Sequence, residues 1–536
     1  MKKIRLYITV LTLILATSCS KSFLDENPYS SYTTDNLTDS LGFEAAIAGV
    51  YYQFAYFYTM SSSQGFLSVW QVGTDVAFAT QPQGIETPYY NYATLNSADG
   101  AASYTWTWAY AVINDCNIII SGIENLSSET TVTEHYRNRA EAEAKFFRAF
   151  AYNVLATCFG GVPITTEPIL TAKTDFVRAS LDSVNALISS DLLYAVSNLP
   201  SIADMPSNSG GTLYSRAHSD QARQLLAEAY LRMDEPALAE AQAQAIIDGG
   251  NFQLITSRYG TKSSDNGDCF SDMFFYGNQR RSEGNTEVIW ALEQENSTDV
   301  VGGHVDNAQQ RRVWGAAYYS ISGMVICDSL GGRGIARLRL SNWVLYGLYD
   351  DGDMRNSQYN IRRRYYYNDP TSASYGEQVP YNNSDTVYKI CPSTTKWGQY
   401  DPNDAFGYAM IKDIPLMRLG ETYLLLAEAQ VKQGELAAAA ENINVLRNRA
   451  NAPTVTSSDM DMDFILDERA RELIGEENRR MTLMRTKTLV TRAIELNSNT
   501  ILYPLNNLTS TNLLLPIPQT EIDLNKDAVL EQNPGY

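Results

Sequence analysis

Residues 513–525 read LLLPIPQTEIDLN and residues 532–536 read QNPGY, and the fold is best predicted by starting from this segment. An apolar run meets Pro516 and Pro518, an acidic stretch follows, and Asn533-Pro534-Gly535 comes near the end. Proline fixes φ and has no backbone N–H, so the two prolines disfavour a continuing helix. We therefore predict an extended segment that lies on the body of the protein.

The composition is that of a large globular protein with a strongly acidic balance. The chain has 536 residues, which predicts one large composite body or two closely packed lobes. Hydrophobic residues make up 44% and charged residues 19%, which is ordinary for a globular protein. The net charge of −20 argues against a nucleic-acid partner, because phosphate binding needs a basic surface.

The N-terminus has the pattern of a targeting segment. Lys2, Lys3 and Arg5 precede the apolar run 6–15, which is too short for a comfortable membrane span, and small residues lead to Cys19. This pattern looks like a bacterial lipoprotein signal, with residues 1–18 cleaved and Cys19 carrying the lipid. Several acyl chains would make a durable membrane anchor. The alternative is ordinary secretion with Cys19 unmodified.

Helical periodicity is clearest in three places. Residues 141–158 carry one apolar stripe, which Gly160-Gly161 ends. Residues 222–246 and 420–450 each read as two short amphipathic helices with alanines at their seam, and both resemble a tetratricopeptide unit. We predict a mostly α fold, a tetratricopeptide-like scaffold of helical pairs with minor β structure. Long loop-rich inserts are expected at 65–104 and 257–405.

Residues 465–473 (ILDERAREL) alternate in charge, which allows i,i+3 and i,i+4 pairs on an exposed or interfacial helix face.

Seven further segments match one family pattern: 23–28 (FLDENP), 144–152 (AKFFRAFAY), 160–163 (GGVP), 352–355 (GDMR), 418–424 (RLGETYL), 444–450 (NVLRNRA) and 513–536. Together they resemble the SusD/RagB family of surface nutrient-binding lipoproteins of Bacteroidetes. One departure follows the charged helix 465–473, where the family usually has an aromatic pair and an Asp and this chain has Arg480-Met481-Thr482. The resemblance implies a signal peptide at 1–18, an N-terminal region at 19–255 and a C-terminal region at 256–536.

The resemblance also implies a function. A SusD-like protein captures an oligosaccharide at the cell surface and delivers it to a SusC-like TonB-dependent transporter in the outer membrane. This implies a lipid-anchored protein that faces the cell exterior, is not an enzyme, and has the transporter and the glycan as partners. Two alternatives stay open: a RagB-like protein that takes up peptides, and a surface glycoside hydrolase.

The sequence shows no recognisable catalytic or metal-binding motif. The three histidines have no ligand spacing, and no nucleophile elbow or P-loop is present, so we expect no metal and no cofactor. Asp459–Asp463 starts like a calcium loop, but Phe464 stands where glycine is needed, and a helix N-cap is the better interpretation. A glycosidase would need two spaced carboxylates, which spacing alone cannot single out among 61 acids.

Binding a sugar needs exposed aromatic rings on loops, since the C–H face of a pyranose lies flat on them. The best cluster in the first insert is Tyr89, Tyr90 and Tyr92, and the best in the second is Trp314, Tyr318 and Tyr319. Core packing and a transporter interface are the competing interpretations of both clusters. The run Arg362–Tyr367 suits either a strand with an interface role or a sugar contact.

The cysteines and two tryptophans are predicted to be structural. After Cys19, five cysteines remain at irregular spacing, which argues against a disulfide framework. Cys116 and Cys158 fall in apolar helical patterns and read as core residues. Trp70 and Trp290 have apolar neighbours in the sequence and are also expected in the core.

Overall fold

The computed structural model describes residues 37–59, 66–81, 84–295, 309–407, 410–497 and 502–536. Cys19 and the predicted signal peptide lie outside the described residues. The α-helices are α1 Ser40–Thr59, α2 Phe66–Val69, α3 Gly100–Glu124, α4 Glu134–Phe159, α5 Leu181–Asn198, α6 Ser219–Arg232, α7 Pro236–Asp248, α8 Cys269–Asp272, α9 Gln310–Trp314, α10 Asn342–Tyr346, α11 Asn383–Val387, α12 Leu419–Gln433, α13 Leu436–Arg449, α14 Met462–Leu473, α15 Arg479–Arg485, α16 Leu489–Leu496 and α17 Gln519–Leu524.

The β structure consists of short antiparallel pairs. The pairs are β1 with β5, β2 with β3, β4 with β8, and β6 with β7. Helices account for 49% and strands for 6%, which confirms the mostly α prediction. The strands are β1 Ala77–Ala79, β2 Ser207–Asn208, β3 Gly211–Thr212, β4 Val288–Leu292, β5 Leu338–Leu340, β6 Ile361–Arg362, β7 Ser393–Thr394 and β8 Ile414–Arg418.

The long helices pack in one continuous row. α3 packs on α4, α4 on α5, α5 on α6, α6 on α7, α7 on α12, and α12 on α13 and α14, while α1 covers α3 and α4. Helical pairs joined by short turns bury their apolar stripes against the next pair, as in repeat proteins. The row forms the helical scaffold that the periodicity predicts.

The two tetratricopeptide-like pairs meet in space although an insert of about 170 residues separates them in sequence. Lys432 Nζ of α12 lies 2.7 Å from Asp234 Oδ1, at the turn before α7. Gln433 and Gln430 of α12 both donate to the Glu240 carboxylate of α7, at 2.6 and 3.1 Å. The insert is therefore a loop-rich segment that leaves and rejoins one continuous helical row, and its Trp290, Leu338 and Trp397 lie in the same hydrophobic core as the helices.

The end of α4 shows why the glycine pair is needed. Gly160 has φ +76°, which L side chains rarely adopt, and its N–H donates to Ala156 O at the helix end. A Cβ on Gly161 would lie 2.4 Å from Ala179 O. The predicted helix stop is confirmed.

The C-terminal tail lies on the end of α4. Leu515 N donates to Cys158 O at 2.6 Å, and the Asn533 amide donates to Phe159 O and Leu515 O at 3.1 and 2.8 Å. Arg178 in turn donates to Asn533 Oδ1 at 2.9 Å. The extended path through the two prolines is confirmed, but the acidic stretch after them forms the short helix α17.

The core contains the residues expected there. Trp70 and Trp290 are 0% and 2% exposed, and Cys116 and Cys158 are buried and free, as predicted. None of the described cysteines forms a disulfide. The division at residue 255 stays a prediction, although β1 from the first region pairs with β5 from the second.

The charged helix α14 is buried, whereas its alternating charges predicted an exposed or interfacial face. Glu472 is fully buried and forms ion pairs with Arg355 at 3.0 Å, Arg418 at 2.5 Å and Arg449. Although burial alone would raise it, these guanidinium groups hold the pKa of Glu472 well below its usual range. The GDMR motif therefore supplies Arg355 to an internal network.

Candidate functional site

The first predicted aromatic cluster is buried. Tyr89 is 0% exposed, and Tyr90 and Tyr92 are each 5% exposed. The Tyr89 hydroxyl donates to Asp99 at 2.7 Å, and Tyr90 packs against the Tyr503 ring. The expectation of exposed rings is wrong here, because these side chains fill the body beside α3. Whether a ligand contacts them stays a prediction.

Arg480 organises this cluster from the other end of the sequence. Its guanidinium donates to the Tyr92 hydroxyl and to the Tyr89 carbonyl, the latter at 3.1 Å. It also lies over the Tyr89 ring, 4.9 Å from the centroid. The residue at which the sequence departs from the family pattern is thus a buried cation that fixes the tyrosines in the core.

The second predicted cluster is divided between core and surface. Trp314, at the end of α9, and Tyr318 are 2% and 1% exposed. The Tyr318 hydroxyl donates to Gly332 O at 2.9 Å, and its ring stacks on Tyr365. These two rings are core, so their expected exposure is also wrong. Tyr319, the next residue, is partly exposed.

Tyr319 forms an aromatic pair with Phe406 at the surface. Their ring centroids are 6.1 Å apart at 80°, and Phe406 is 63% exposed. Arg333 lies over both rings, 5.8 and 5.5 Å from their centroids, and donates to the Tyr319 hydroxyl at 3.3 Å. An exposed ring edge with a guanidinium beside it can contact both the apolar face and the hydroxyls of a sugar.

A polar cavity of about 370 Å³ is built from the same loops as the aromatic pair. Gly331 lines it, two residues before Arg333, and Ala316 lines it, three residues before Tyr319. Its size falls within the range of small-molecule pockets, about 300–1,000 Å³. The charged and aromatic lining residues are Lys262, Asp265, Phe275, Arg311, Asp328, Tyr359, Arg362 and Trp397.

Lys412 supports the cavity wall from behind. Its fully buried ammonium donates to Lys396 O at 2.5 Å and to Gly398 O at 2.9 Å, and Gly398 lines the cavity. Burial, with a contribution from the positive charge of Lys262, lowers the pKa of Lys412 to about 7. A neighbouring buried lysine, Lys396, has its pKa lowered to about 8.

Sequence reasoning missed Phe406, Arg333 and Lys412. Arg333 and Phe406 are 73 positions apart and join through a loop contact, from the guanidinium to Phe406 O, that no periodicity predicts. The basic-aromatic run did place Arg362 near a possible sugar contact, and Arg362 lines the cavity. The arginines of this run were therefore the sequence signal that pointed towards the cavity.

Metal-binding clusters are absent from the part of the chain that the structure describes. The segment that begins like a calcium loop is a helix start, since the Asp461 carboxylate accepts from Phe464 N at 2.8 Å. The N-cap interpretation is confirmed.

Comparisons with known sequences agree along the chain. A model described as the SusD family matches residues 286–536, and one described as starch-binding associating with outer membrane matches residues 22–231. SusD-like protein P25 of Formosa agariphila is 23% identical over 585 aligned positions that span all of both chains. Starch-binding protein SusD of Bacteroides thetaiotaomicron is 36% identical over 124 residues, 23% of this chain and 22% of that protein.

Solved structures have the same fold. Surface glycan-binding protein A of Bacteroides thetaiotaomicron, in complex with laminarihexaose, aligns over 92% of this chain and all of that chain, with a TM-score of 0.70 and 18% identity. A laminarin-binding SusD-like protein aligns over 93% of this chain and all of its own, with a TM-score of 0.68 and 22% identity. No described helix is long and apolar enough to cross a membrane. By its sequence the chain belongs to the SusD/RagB family, and it has the fold of SusD-like proteins of known structure.

Proposed function

We propose that this chain is a lipid-anchored outer-membrane protein that binds an oligosaccharide at the cell surface and passes it to a SusC-like TonB-dependent transporter. The observation that carries the proposal is the aromatic pair Tyr319–Phe406, held by Arg333 beside a polar cavity. Rings at the surface and polar groups in a recess match the two faces of a sugar.

Family membership supports the same function. The relatives with named ligands bind laminarin, laminarihexaose or starch by their descriptions. The site is built on loops of the long insert beside the helical row, and binding residues are often found on loops that a scaffold positions. Glu468 and Glu472, the two buried acids of α14, are held in ion pairs with arginines, which favours a structural role for them over a catalytic one.

The lipid anchor and the transporter complete the proposal. Cys19 follows a basic and an apolar segment in the pattern of a lipoprotein signal. Metabolic labelling of the full-length chain with a fatty-acid probe is expected to label the wild type and not Cys19→Ser. Co-purification of the transporter with the tagged protein from outer membranes tests the partner.

A ligand panel tests the binding function. The protein starting after Cys19 is titrated with neutral and acidic oligosaccharides and with mixed peptides, and reducing ends are measured in the same samples. We expect saturable binding of an oligosaccharide without release of reducing ends. Saturable binding of peptides alone would replace the proposal with peptide uptake, and release of reducing ends would replace it with a hydrolase.

A further inference from the structure

The cavity beside the aromatic pair has positive charge inside it. Arg362 donates to Leu330 O at 2.7 Å and to Ser329 O at 2.6 Å, and none of the carboxylates that the structure describes forms an ion pair with it. Carbonyl acceptors satisfy the N–H groups of a guanidinium but leave its charge in place. Arg362 therefore brings a net positive charge to the cavity wall.

Two more cations lie behind the same wall. Arg311 is 4% exposed and donates to Gln399 O and Gly407 O, and burial lowers its pKa from the ordinary value. Lys412 is fully buried against the carbonyls of the loop that lines the cavity. Burial disfavours the charge of Lys412, so a negative group in the cavity would favour its protonated form.

The acids of the cavity lie on its solvent side. Asp265 is exposed, and the Asp328 side chain is 59% exposed and is bound by Lys262 at 2.5 Å. Water and salt screen exposed charges far more than buried ones. Asp328 thus offsets the rim cation Lys262, and the charge of Arg362 stays without an ion-pair partner among the described carboxylates.

The cavity is positively charged, whereas the whole chain is strongly negative. A net charge of −20 repels anions at long range, so a positive recess is a local feature of the site. Resting on the proposed function, we propose that the oligosaccharide this cavity accepts is acidic, with a carboxylate or sulfate group that enters the cavity. The positive charge of Arg362 attracts such a group, and the Tyr319–Phe406 rings contact the uncharged face of the sugar.

Paired ligands of matched length test the proposal. Oligogalacturonate supplies carboxylates, a sulfated carrageenan oligosaccharide supplies sulfates, and laminarihexaose is the neutral probe. Affinities are measured at 20 mM and 500 mM NaCl. We expect one acidic ligand to bind at least about tenfold more tightly than the neutral one at low salt, and the difference to shrink at high salt.

Two cavity variants and one control variant test whether binding depends on the cavity or on the overall charge of the protein. Arg362→Gln is expected to weaken the acidic ligand about tenfold, and Lys262→Met serves as a second cavity variant should Arg362→Gln fold poorly. Arg364→Gln removes an exposed arginine of the same segment and is expected to leave affinity unchanged. Equal or tighter binding of the neutral ligand would overturn the acidic class and leave the proposed function standing, whereas no binding of any glycan would overturn both.

Discussion

Burial changes the charge state of Lys412 near neutral pH. It has no exposed surface, and burial lowers its pKa to about 7. In the unfolded chain a lysine titrates near 10.4. Between these two values the unfolded state binds one more proton than the folded state, so this group makes the free energy of unfolding rise with pH.

The variant Lys412→Met should remove that dependence. From pH 7 to about 9.5, the wild type is expected to gain stability relative to the variant by up to ~1.4 kcal/mol per pH unit. Urea denaturation at pH 6 to 9.5 measures the difference, with the exposed Lys526→Met as control. Parallel stability curves for wild type and Lys412→Met would contradict the assignment.

Exposure of single aromatic residues is what the sequence predicts least well. Tyr89 and Tyr92 stand in a polar, tyrosine-rich insert, and that composition suits a surface. Arg480, about 390 positions further along the chain, donates hydrogen bonds to both residues and holds them in the core. Trp70 and Trp290 were predicted correctly because their own sequence neighbours are apolar. Burial that depends on a distant partner leaves no local pattern to read.

At the scale of elements, α14 joins its neighbours through charge. Its Glu472 meets guanidinium groups from the GDMR turn, from β8 and from α13. A buried ion network stabilises little relative to an apolar core, but breaking it leaves uncompensated charges. The network therefore fixes how these elements sit together.

Glu472→Gln should destabilise the protein strongly. The variant leaves three buried arginines short of one negative charge, at a cost of about 3–5 kcal/mol in the free energy of unfolding. Urea is the denaturant for this measurement, because guanidinium chloride is a salt and would screen the charges of the network. Glu441→Gln, an exposed change on α13, should stay within about 0.5 kcal/mol of wild type. A similarly small effect for Glu472→Gln would show that the network is not structural.

Asn533 holds the C-terminal tail against the rest of the protein. Asn533 is 3% exposed and makes bonds to α4, to the tail itself and to Arg178. Asn533→Ala should cost about 1–3 kcal/mol, because it leaves buried carbonyls unsatisfied. Thermal unfolding compared with exposed Asn403→Ala checks this, and identical midpoints would mean that the tail is held by its apolar residues alone.

Elements were more predictable than residues because their signals are local. The stripe of α4, the glycine that ends it and the proline that opens α7 each lie within a few positions of the feature they specify. The alternating charges of α14 predict an exposed or interfacial face, but the same sequence pattern also occurs in a buried ion network, which is where residues 468–473 lie.

At the scale of the molecule, one helical row packs against one long loop-rich insert. Two helical pairs that the sequence shows separately become neighbours through α7 and α12, and the long insert leaves and returns between them. Periodicity identifies each pair but carries no information on which pairs touch. The candidate site is built in the insert, on loops whose shape depends on contacts such as Gly331 with Gly398.

The most direct test is a titration of the protein starting after Cys19 with the glycan that binds best in the ligand panel. Phe406→Ala is expected to lower the affinity about tenfold, or ~1.4 kcal/mol, since it removes the exposed ring beside the cavity. Tyr346→Ala, which removes a ring 73% exposed on α10, should leave the affinity at the wild-type value. Equal affinities for wild type, Phe406→Ala and Tyr346→Ala would contradict binding at the Tyr319–Phe406 site.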